Sequence, residues 1–285
     1  QTKLSTYYNM MFINIIMGIL AIISSIINNN MILLILGILW GTSPYIMYQI
    51  SKIPIKNKTV EKLEEKEKTY IKQISQKTWK FFKDYITPKN NYLIPDNYQE
   101  ERKEIVVSRT SSTNIGLSLL AVISSYDLGF ENLEDTINLL KNIINSIYEL
   151  PKWNGHLYNW YNIKNKTPLN PRYVSTVDSG NLVGYMFTTK AFLQEINDKY
   201  EEIEEKQLKQ ENIDVNEIQE LITKLSKMIE ETNFKVLYND EQSLFSIGYN
   251  VEENKLTDSY YDLLASEARQ ASLVAIAKKD ISPKH

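Results

Sequence analysis

Four short stretches of the sequence combine polar and aromatic side chains that a solvated helix surface does not need. The first is 109–114, RTSSTN, which leads into a helical pattern through a run of residues that cap helices. One capping serine explains part of this stretch, but it does not explain Arg109 beside Asn114. We therefore include Arg109 and Asn114 among the candidate binding residues.

The second stretch, 153–161, is WNGHLYNWY and places five rings in nine positions. A sugar-binding groove needs flat rings with polar edges, because pyranose C–H faces stack on aromatic rings while the hydroxyls need polar partners. For any single ring, core packing is an equally good explanation. The candidate sugar contacts are Trp153, His156, Asn159, Trp160 and Tyr161.

The third stretch, 172–181, is RYVSTVDSGN. Asp178 either caps the helix that follows, which is worth about 1 kcal/mol, or faces a ligand. A glycine at position 180 destabilises the helix by about 1 kcal/mol relative to alanine. We therefore expect a ligand to approach the Gly180 backbone closely. The candidate binding residues here are Arg172, Tyr173, Asp178 and Asn181.

The fourth stretch, 258–269, carries the candidate catalytic residue, Glu267, with Tyr260 and Tyr261 as binding candidates. On a helical wheel Glu267 falls in an apolar stripe. A carboxyl group desolvated there would have a raised pKa, as a general acid near neutrality needs. The structural alternative is a buried glutamate that accepts hydrogen bonds from the backbone or from tyrosine hydroxyls.

The elements that must position these residues are helices. Helical periodicity predicts helices over 61–85, 112–127, 133–150, 178–196, 215–234 and 259–278. Short strands are predicted only at 156–161 and 244–249. The charged stretch 198–231 is interpreted as a solvated helix pair and is assigned no chemistry. The prediction is an all-α architecture with small β-hairpins in its loops.

Two apolar segments precede this helical part. Residues 10–27 and 31–50 hold no charged side chain, and at 1.5 Å per residue they span about 27 and 30 Å. They are interpreted as two transmembrane helices rather than buried core helices or a signal peptide, which would need a cationic start and one apolar stretch. Three asparagines join them into a hairpin. The lysines that follow, at 52, 56, 58 and 62, predict that the remainder faces the cytoplasm.

Composition excludes several function classes. The chain has 32 basic and 35 acidic residues, a formal charge of −3, so a basic nucleic-acid surface is not expected. Because it has no cysteine, it forms no disulfide, thiolate nucleophile or cysteine-ligated zinc site. With two histidines, it offers little for a histidine-rich metal site. No metal and no cofactor is expected.

The same stretches carry a resemblance to a known family. Residues 109–117 (RTSSTNIGL), 155–161 (GHLYNWY), 171–182 (PRYVSTVDSGNL) and 244–277 resemble, in this order, the middle region of cyclic β-1,2-glucan synthases. The sequence departs from the family at Ser112, where proline is usual. Matches of this length are far more specific than a short motif.

The resemblance implies a domain organisation. Such synthases are large membrane proteins with a glycosyltransferase domain that builds linear β-1,2-glucan, a glucoamylase-like domain that closes it by transglycosylation, and a phosphorylase-like domain that adjusts its length. By this resemblance, 1–51 is the last transmembrane hairpin and 52–95 a juxtamembrane linker with the first helix. Residues 96–285 are then the N-terminal part of an (α/α)6 barrel, truncated at its C-terminal side. An incomplete barrel is expected to expose apolar faces and to be poorly stable alone.

The resemblance also implies an activity. Glu267, in the SEAR motif, is one of two catalytic carboxylates, and the second lies after His285. The implied partners are a β-1,2-glucan chain, the lipid bilayer, and the glycosyltransferase and phosphorylase-like domains of the same polypeptide. The implied location is the inner membrane, as a multi-pass protein whose soluble part faces the cytoplasm. The alternative is a membrane-anchored carbohydrate-binding or scaffolding module without catalysis.

Overall fold

The computed structural model describes residues 3–52, 63–101, 103, 105–201, 214–261, 267–283 and 285. The chain forms two compact units, Gln1–Glu65 and Lys66–His285. The predicted domain boundaries at 51 and 95 stay predictions. The lysines at 56, 58 and 62 and the centre of the predicted helix pair, 202–213, lie outside the described residues.

The first unit is a helical hairpin. It contains α1 (Leu4–Met10), α2 (Phe12–Asn28) and α3 (Met31–Lys52). The predicted single helix over 10–27 is wrong at its start, because α1 and α2 meet at Met11 with a bend of 67°. Asn29, with a φ of 50°, makes the tight turn between α2 and α3.

Glycines let α2 and α3 approach each other closely. A Cβ built on Gly18 would lie 2.6 Å from the Gly41 backbone nitrogen and 2.8 Å from the Gly37 carbonyl oxygen. The Asn14 side chain also donates a hydrogen bond to the Ser43 hydroxyl at 3.2 Å. Among the described residues, α3 alone is long and apolar enough to cross a membrane, and α1 with α2 qualifies if the bent pair is one span.

The second unit is built from helices packed around α7. Its helices are α4 (Glu65–Tyr85), α5 (Ser112–Asp127), α6 (Leu133–Glu149), α7 (Thr176–Glu201), α8 (Val215–Glu231) and α9 (Arg269–Ala277), with 3-10 turns at Pro88–Asn90 and Phe234–Leu237. Helix α7 packs against α5, α8 and α9, while α6 packs against α5 and α8.

Amphipathic periodicity decides which helix faces are buried. In α6, Ile137, Leu140, Ile144 and Ile147 are all buried, as their spacing predicts. The corresponding apolar positions of α5 form the facing part of the same core. These helices and the all-α prediction for this unit are confirmed.

The strands are short and lie in the loops at helix ends. They are β1 (Arg109–Thr110), β2 (Lys152–Trp153), β3 (His156–Leu157), β4 (Tyr161–Asn162), β5 (Tyr173–Ser175), β6 (Tyr238–Asn239), β7 (Leu244–Phe245), β8 (Gly248–Asn250) and β9 (Lys255–Leu256). Strand β1 pairs with β4, β2 with β3 and β6 with β7, while β5, β8 and β9 form a three-stranded sheet. The two predicted strands are therefore each divided in two.

The predicted helix over 259–278 is wrong in its first half. Tyr260 makes a β-bridge with Ser246, and the helix begins only at Arg269. Residues 262–266 lie outside the described residues. The reason is that Tyr260 pairs with Ser246, which lies between β7 and β8, and this pairing outweighs the local helical pattern.

Apolar surface remains exposed in two grooves of this unit. A groove of about 480 Å³ between α7 and α9 is lined by Phe187 and Leu273, which are 37% and 69% exposed. A second apolar groove, of about 460 Å³, lies between α4 and α5 and includes Trp79 and Leu117. This unit therefore exposes apolar side chains, and their assignment to the inner face of an open barrel stays a prediction.

Candidate active site

Serine side chains cap the two helices that carry most of the candidate site. The Ser111 hydroxyl accepts a hydrogen bond from the Asn114 backbone N–H at 3.2 Å, and α5 begins at the next residue. The Ser175 hydroxyl accepts one from the Asp178 N–H at 3.3 Å. The cap interpretation of Asp178 is therefore wrong: Ser175 has that role, and Asp178 lies in the first turn of α7.

A side-chain hydrogen bond joins the first turn of α5 to the second turn of α7. The Asn181 amide in α7 donates to the Thr113 hydroxyl in α5 at 3.1 Å. Candidate residues from the first and third stretches therefore lie on one side of the unit.

Gly180 is needed for helix packing rather than for a ligand. A Cβ at this position would lie 2.5 Å from the Cα of Ala271 in α9. The expected ligand contact with the Gly180 backbone is therefore corrected to a backbone contact between α7 and α9.

Tyr261 has two carboxylates in its surroundings. Burial, together with the smaller effects of negative charge on Glu267, Tyr173 and Asp178, raises the pKa of Tyr261 to about 12. Asp178 comes from the start of α7 and Glu267 from the turn before α9. Tyr261 thus lies within electrostatic range of two candidate carboxylates and of Tyr173, which come from two separate parts of the sequence.

Glu267 itself is exposed and precedes α9, while Ala271 and Val274 of that helix are buried. The expectation that Glu267 sits desolvated in an apolar stripe is therefore wrong. That stripe required one continuous helix, and the chain before Glu267 runs through a β-bridge at Tyr260 instead.

Tyr173 and a third tyrosine, Tyr260, are fixed by their hydroxyl groups. The Tyr173 hydroxyl lies 3.0 Å from the Thr257 hydroxyl. The Tyr260 hydroxyl accepts a hydrogen bond from the Asn239 amide at 2.9 Å. Both rings are half-buried, so each keeps a surface towards the solvent.

A second group of side chains surrounds Asp96, which the sequence analysis did not single out. Arg109 lies with its guanidinium carbon 4.1 Å from the centroid of the Trp160 ring and forms an ion pair with Asp96 at 3.3 Å. The Asn114 amide donates to the other Asp96 oxygen at 3.0 Å. Three predicted residues are thus brought together around a carboxylate that was missed.

The other rings of the second stretch belong to the core. His156 is buried, its Nε2 lies 2.8 Å from the Asn233 carbonyl oxygen, and burial lowers its pKa to about 4. Tyr161 is fully buried and its hydroxyl donates to the Pro151 carbonyl at 2.6 Å, while burial raises its pKa. These positions fit the core-packing alternative.

The remaining candidates contact other parts of the protein. Trp153 stacks on Tyr249 with the ring centroids 4.1 Å apart. Arg172 is exposed and forms a two-point ion pair with Glu252, its Nε 2.7 Å from one carboxylate oxygen. The backbone N–H of Asn159 donates to the Tyr173 carbonyl at 2.7 Å.

The fold of the second unit is that of the glucoamylase-like α/α toroids. The chain superposes with a TM-score of 0.58 on an endo-β-1,2-glucanase from Chitinophaga pinensis solved with sophorotriose and glucose, at 12% identity over 74% of this chain and 47% of that one. A β-1,2-glucanase from Parabacteroides distasonis gives a TM-score of 0.57 at 9% identity, over 72% of this chain and 27% of that one. The predicted (α/α)-barrel fold class is confirmed.

In sequence, the chain is similar to the cyclic β-(1,2)-glucan synthase NdvB of Rhizobium meliloti, as the four stretches predict. The two are 27% identical over 358 aligned positions, which cover 87% of this chain and 12% of NdvB. No family model matches the sequence. The chain thus spans about an eighth of NdvB and about half of the endo-β-1,2-glucanase. Because the match to NdvB includes more residues than the second unit holds, it must extend into the helical hairpin.

Proposed function

We propose that this chain is part of a membrane-bound cyclic β-1,2-glucan synthase, and that its helical unit closes linear β-1,2-glucan into rings by retaining transglycosylation. The single observation that carries the proposal is the similarity to NdvB over 87% of the chain. The fold supports it, because the C. pinensis relative with the same fold acts on β-1,2-glucan and was solved with a sophorotriose.

The proposed acid is Glu267. In a retaining reaction a carboxylic acid gives its proton to the glycosidic oxygen while a second carboxylate attacks C1, so that the C1–O bond breaks and a glycosyl-enzyme forms. A hydroxyl group of the same glucan chain then attacks C1 and releases the carboxylate, and Glu267 takes the proton of that hydroxyl. The part of the chain beyond the broken bond leaves as a shorter glucan that carries the donated proton on its hydroxyl group, and the ring formed from the rest has one water fewer than a linear glucan with the same number of glucose units.

The surroundings of Glu267 suit a glucan ligand. Tyr173, Tyr260 and Tyr261 offer half-buried rings, and Asp178 offers carboxylate oxygens for sugar hydroxyls. Because Glu267 is exposed in the free protein, the bound glucan itself would remove water from around the carboxyl group.

Ring closure rather than hydrolysis requires that a sugar hydroxyl outcompete water. A site that binds both ends of one chain achieves this through the high effective concentration of the attacking hydroxyl. Residues around Arg109 and Trp160, which share one side of the unit with Asp178, are proposed to bind the part of the chain remote from the scissile bond.

The helical hairpin is proposed to anchor this unit to the inner membrane, with the helical unit facing the cytoplasm. Helix α3 has the required length and apolar character. Positively charged residues after α3 support this orientation. Within the full polypeptide, glycosyltransferase and phosphorylase-like domains are the proposed partners, supplying linear glucan and adjusting its length.

The test is the product formed from linear β-1,2-glucan. Full-length protein in detergent is incubated with glucans of defined length, and the products are separated by mass. We expect products one water lighter than linear chains and resistant to exo-acting glucosidases. Linear products alone would indicate a hydrolase, and binding without any product would indicate the carbohydrate-binding alternative; either result contradicts the proposal.

A further inference from the structure

Asp96 is held in place by the chain before it and by a strand. It follows Leu93 and Ile94, which are buried, and its backbone N–H donates to the Arg109 carbonyl at 2.7 Å. Arg109 in turn is fixed by the pairing of β1 with β4, in which it lies opposite Asn162. The Asp96 side chain is only 18% exposed.

Both oxygens of the Asp96 carboxylate accept hydrogen bonds from side chains. Asn114 donates to Oδ1 at 3.0 Å, and Asn97 donates to Oδ2 at 2.9 Å. Arg109 completes the set through a terminal nitrogen 3.3 Å from Oδ2. Because its two oxygens accept three such bonds, the Asp96 carboxylate is fixed in orientation and holds the three donor side chains in place.

The ion pair leaves much of the Arg109 guanidinium group accessible. The guanidinium has five N–H donors in a planar fork, and the ion pair with Asp96 uses one terminal nitrogen. The side chain is 44% exposed and lies over the Trp160 ring at 4.1 Å. Adjacent N–H groups of such a fork match the spacing of neighbouring hydroxyl groups on a pyranose ring.

We propose that Asp96 is a positioning residue of the glucan site, which holds Arg109 over Trp160 and Asn114 at the start of α5 and so forms a binding position for one glucose unit. This inference rests on the proposed function. The hydrogen bond between Thr113, next to Asn114, and Asn181 connects this position to α7, in which Asn181 lies three residues after Asp178. The glucose unit bound here belongs to the same glucan chain as the bond that is cleaved at Glu267.

The test is the split between KM and kcat for Asp96→Asn in the full-length protein. This substitution keeps the shape of the side chain but removes the charge that holds Arg109. We expect KM for linear β-1,2-glucan to rise about tenfold, with kcat changed by less than about twofold, because the interaction is made equally in ground and transition states. Asp96→Glu, which keeps the carboxylate, should restore most of the affinity.

A double substitution separates positioning from a general effect on folding. If Asp96 acts through Arg109, the KM of Asp96→Asn combined with Arg109→Gln should equal that of Arg109→Gln alone. Asp84→Asn is the matched control, since Asp84 forms an exposed ion pair with Lys80 in α4. Should Asp96→Asn fold poorly, Arg109→Gln still tests the position, because it leaves Asp96 bonded to Asn97 and Asn114.

Unchanged KM in Asp96→Asn, or KM effects that multiply in the double variant, would overturn the inference while leaving the proposed function intact. Failure of the wild-type protein to bind or process the glucan would instead contradict the proposed function, and this inference with it.

Discussion

The backbone of Gly180 in α7 lies against the backbone of Ala271 in α9, so that a Cβ on Gly180 would be 2.5 Å from the Ala271 Cα. This contact fixes α9, and with it the turn that carries Glu267, against the helix whose first turn carries Asp178. The relative position of the two candidate carboxylates therefore depends on a residue without a side chain.

Gly180→Ala is expected to lower the free energy of unfolding of the helical unit by about 2 kcal/mol, because a helix backbone must move to accept the methyl group. Chemical denaturation followed by tryptophan fluorescence measures this change. Gly184→Ala is the matched control in the same helix. Its Cβ would meet only the end of the flexible Gln270 side chain, so we expect little change. Equal effects of the two substitutions would contradict the packing role of Gly180.

Protonation of His156 is expected to make stability depend on pH. Burial lowers the pKa of His156 to about 4, whereas a histidine in the unfolded chain has a pKa of about 6.5. Between these values the unfolded chain binds the proton and the folded chain does not, so this contribution to stability is complete above pH 6.5 and is lost as the pH falls toward 4. Between pH 7 and pH 5 the loss should be about 2 kcal/mol.

The measurement is the free energy of unfolding at pH 7 and at pH 5, for the wild type and for His156→Gln. The variant lacks the titrating group, so its stability should fall less over this interval even if it is less stable at pH 7. A pH dependence of the same size in both proteins would show that His156 is not the buried neutral group.

The glycine contact between α2 and α3 is expected to hold the hairpin together. Gly18→Leu would place a side chain where the Gly37 and Gly41 backbones lie, and should separate the two helices. Because the chain has no cysteine, the substitutions Asn14→Cys and Ser43→Cys provide a specific pair for disulfide crosslinking in membranes. Crosslinking should fall severalfold when Gly18→Leu is added.

Gly41→Ala is the control, since its Cβ would meet no atom within 4 Å. Similar crosslinking in the double-cysteine protein, with Gly18→Leu and with Gly41→Ala would contradict this packing.

Local periodicity predicted the helices of the second unit wherever one face is buried. In α6 the spacing of Ile137, Leu140 and Ile144 is sufficient to predict the helix, because each turn places one of these buried residues on the same face. The stretch before α9 was mispredicted because Tyr260 pairs with Ser246, a partner that local periodicity does not reveal. Secondary structure therefore cannot be predicted from local periodicity where a segment pairs with residues outside that segment.

The candidate site shows the same division. The positions of Arg109 and Asn114 in one motif predicted that they contribute to the same site. The part of Asp96 in that site was not predicted, because Asp96 lies 13 residues before Arg109 and 18 before Asn114, in a loop that shows no periodicity or motif. The aromatic stretch predicted rings but not their burial, because composition does not separate the core residue His156 from the half-buried Trp160.

The most direct test of the proposed function is ring formation by the Glu267→Gln variant of the full-length protein. The variant cannot give a proton to the leaving oxygen, so the rate of ring formation from linear β-1,2-glucan should fall by about a hundredfold or more, while the Kd for the glucan changes little. Glu195→Gln, which removes a surface carboxylate paired with Lys199 in α7, should leave the rate unchanged. Ring formation by Glu267→Gln at the wild-type rate would contradict the proposed role of Glu267.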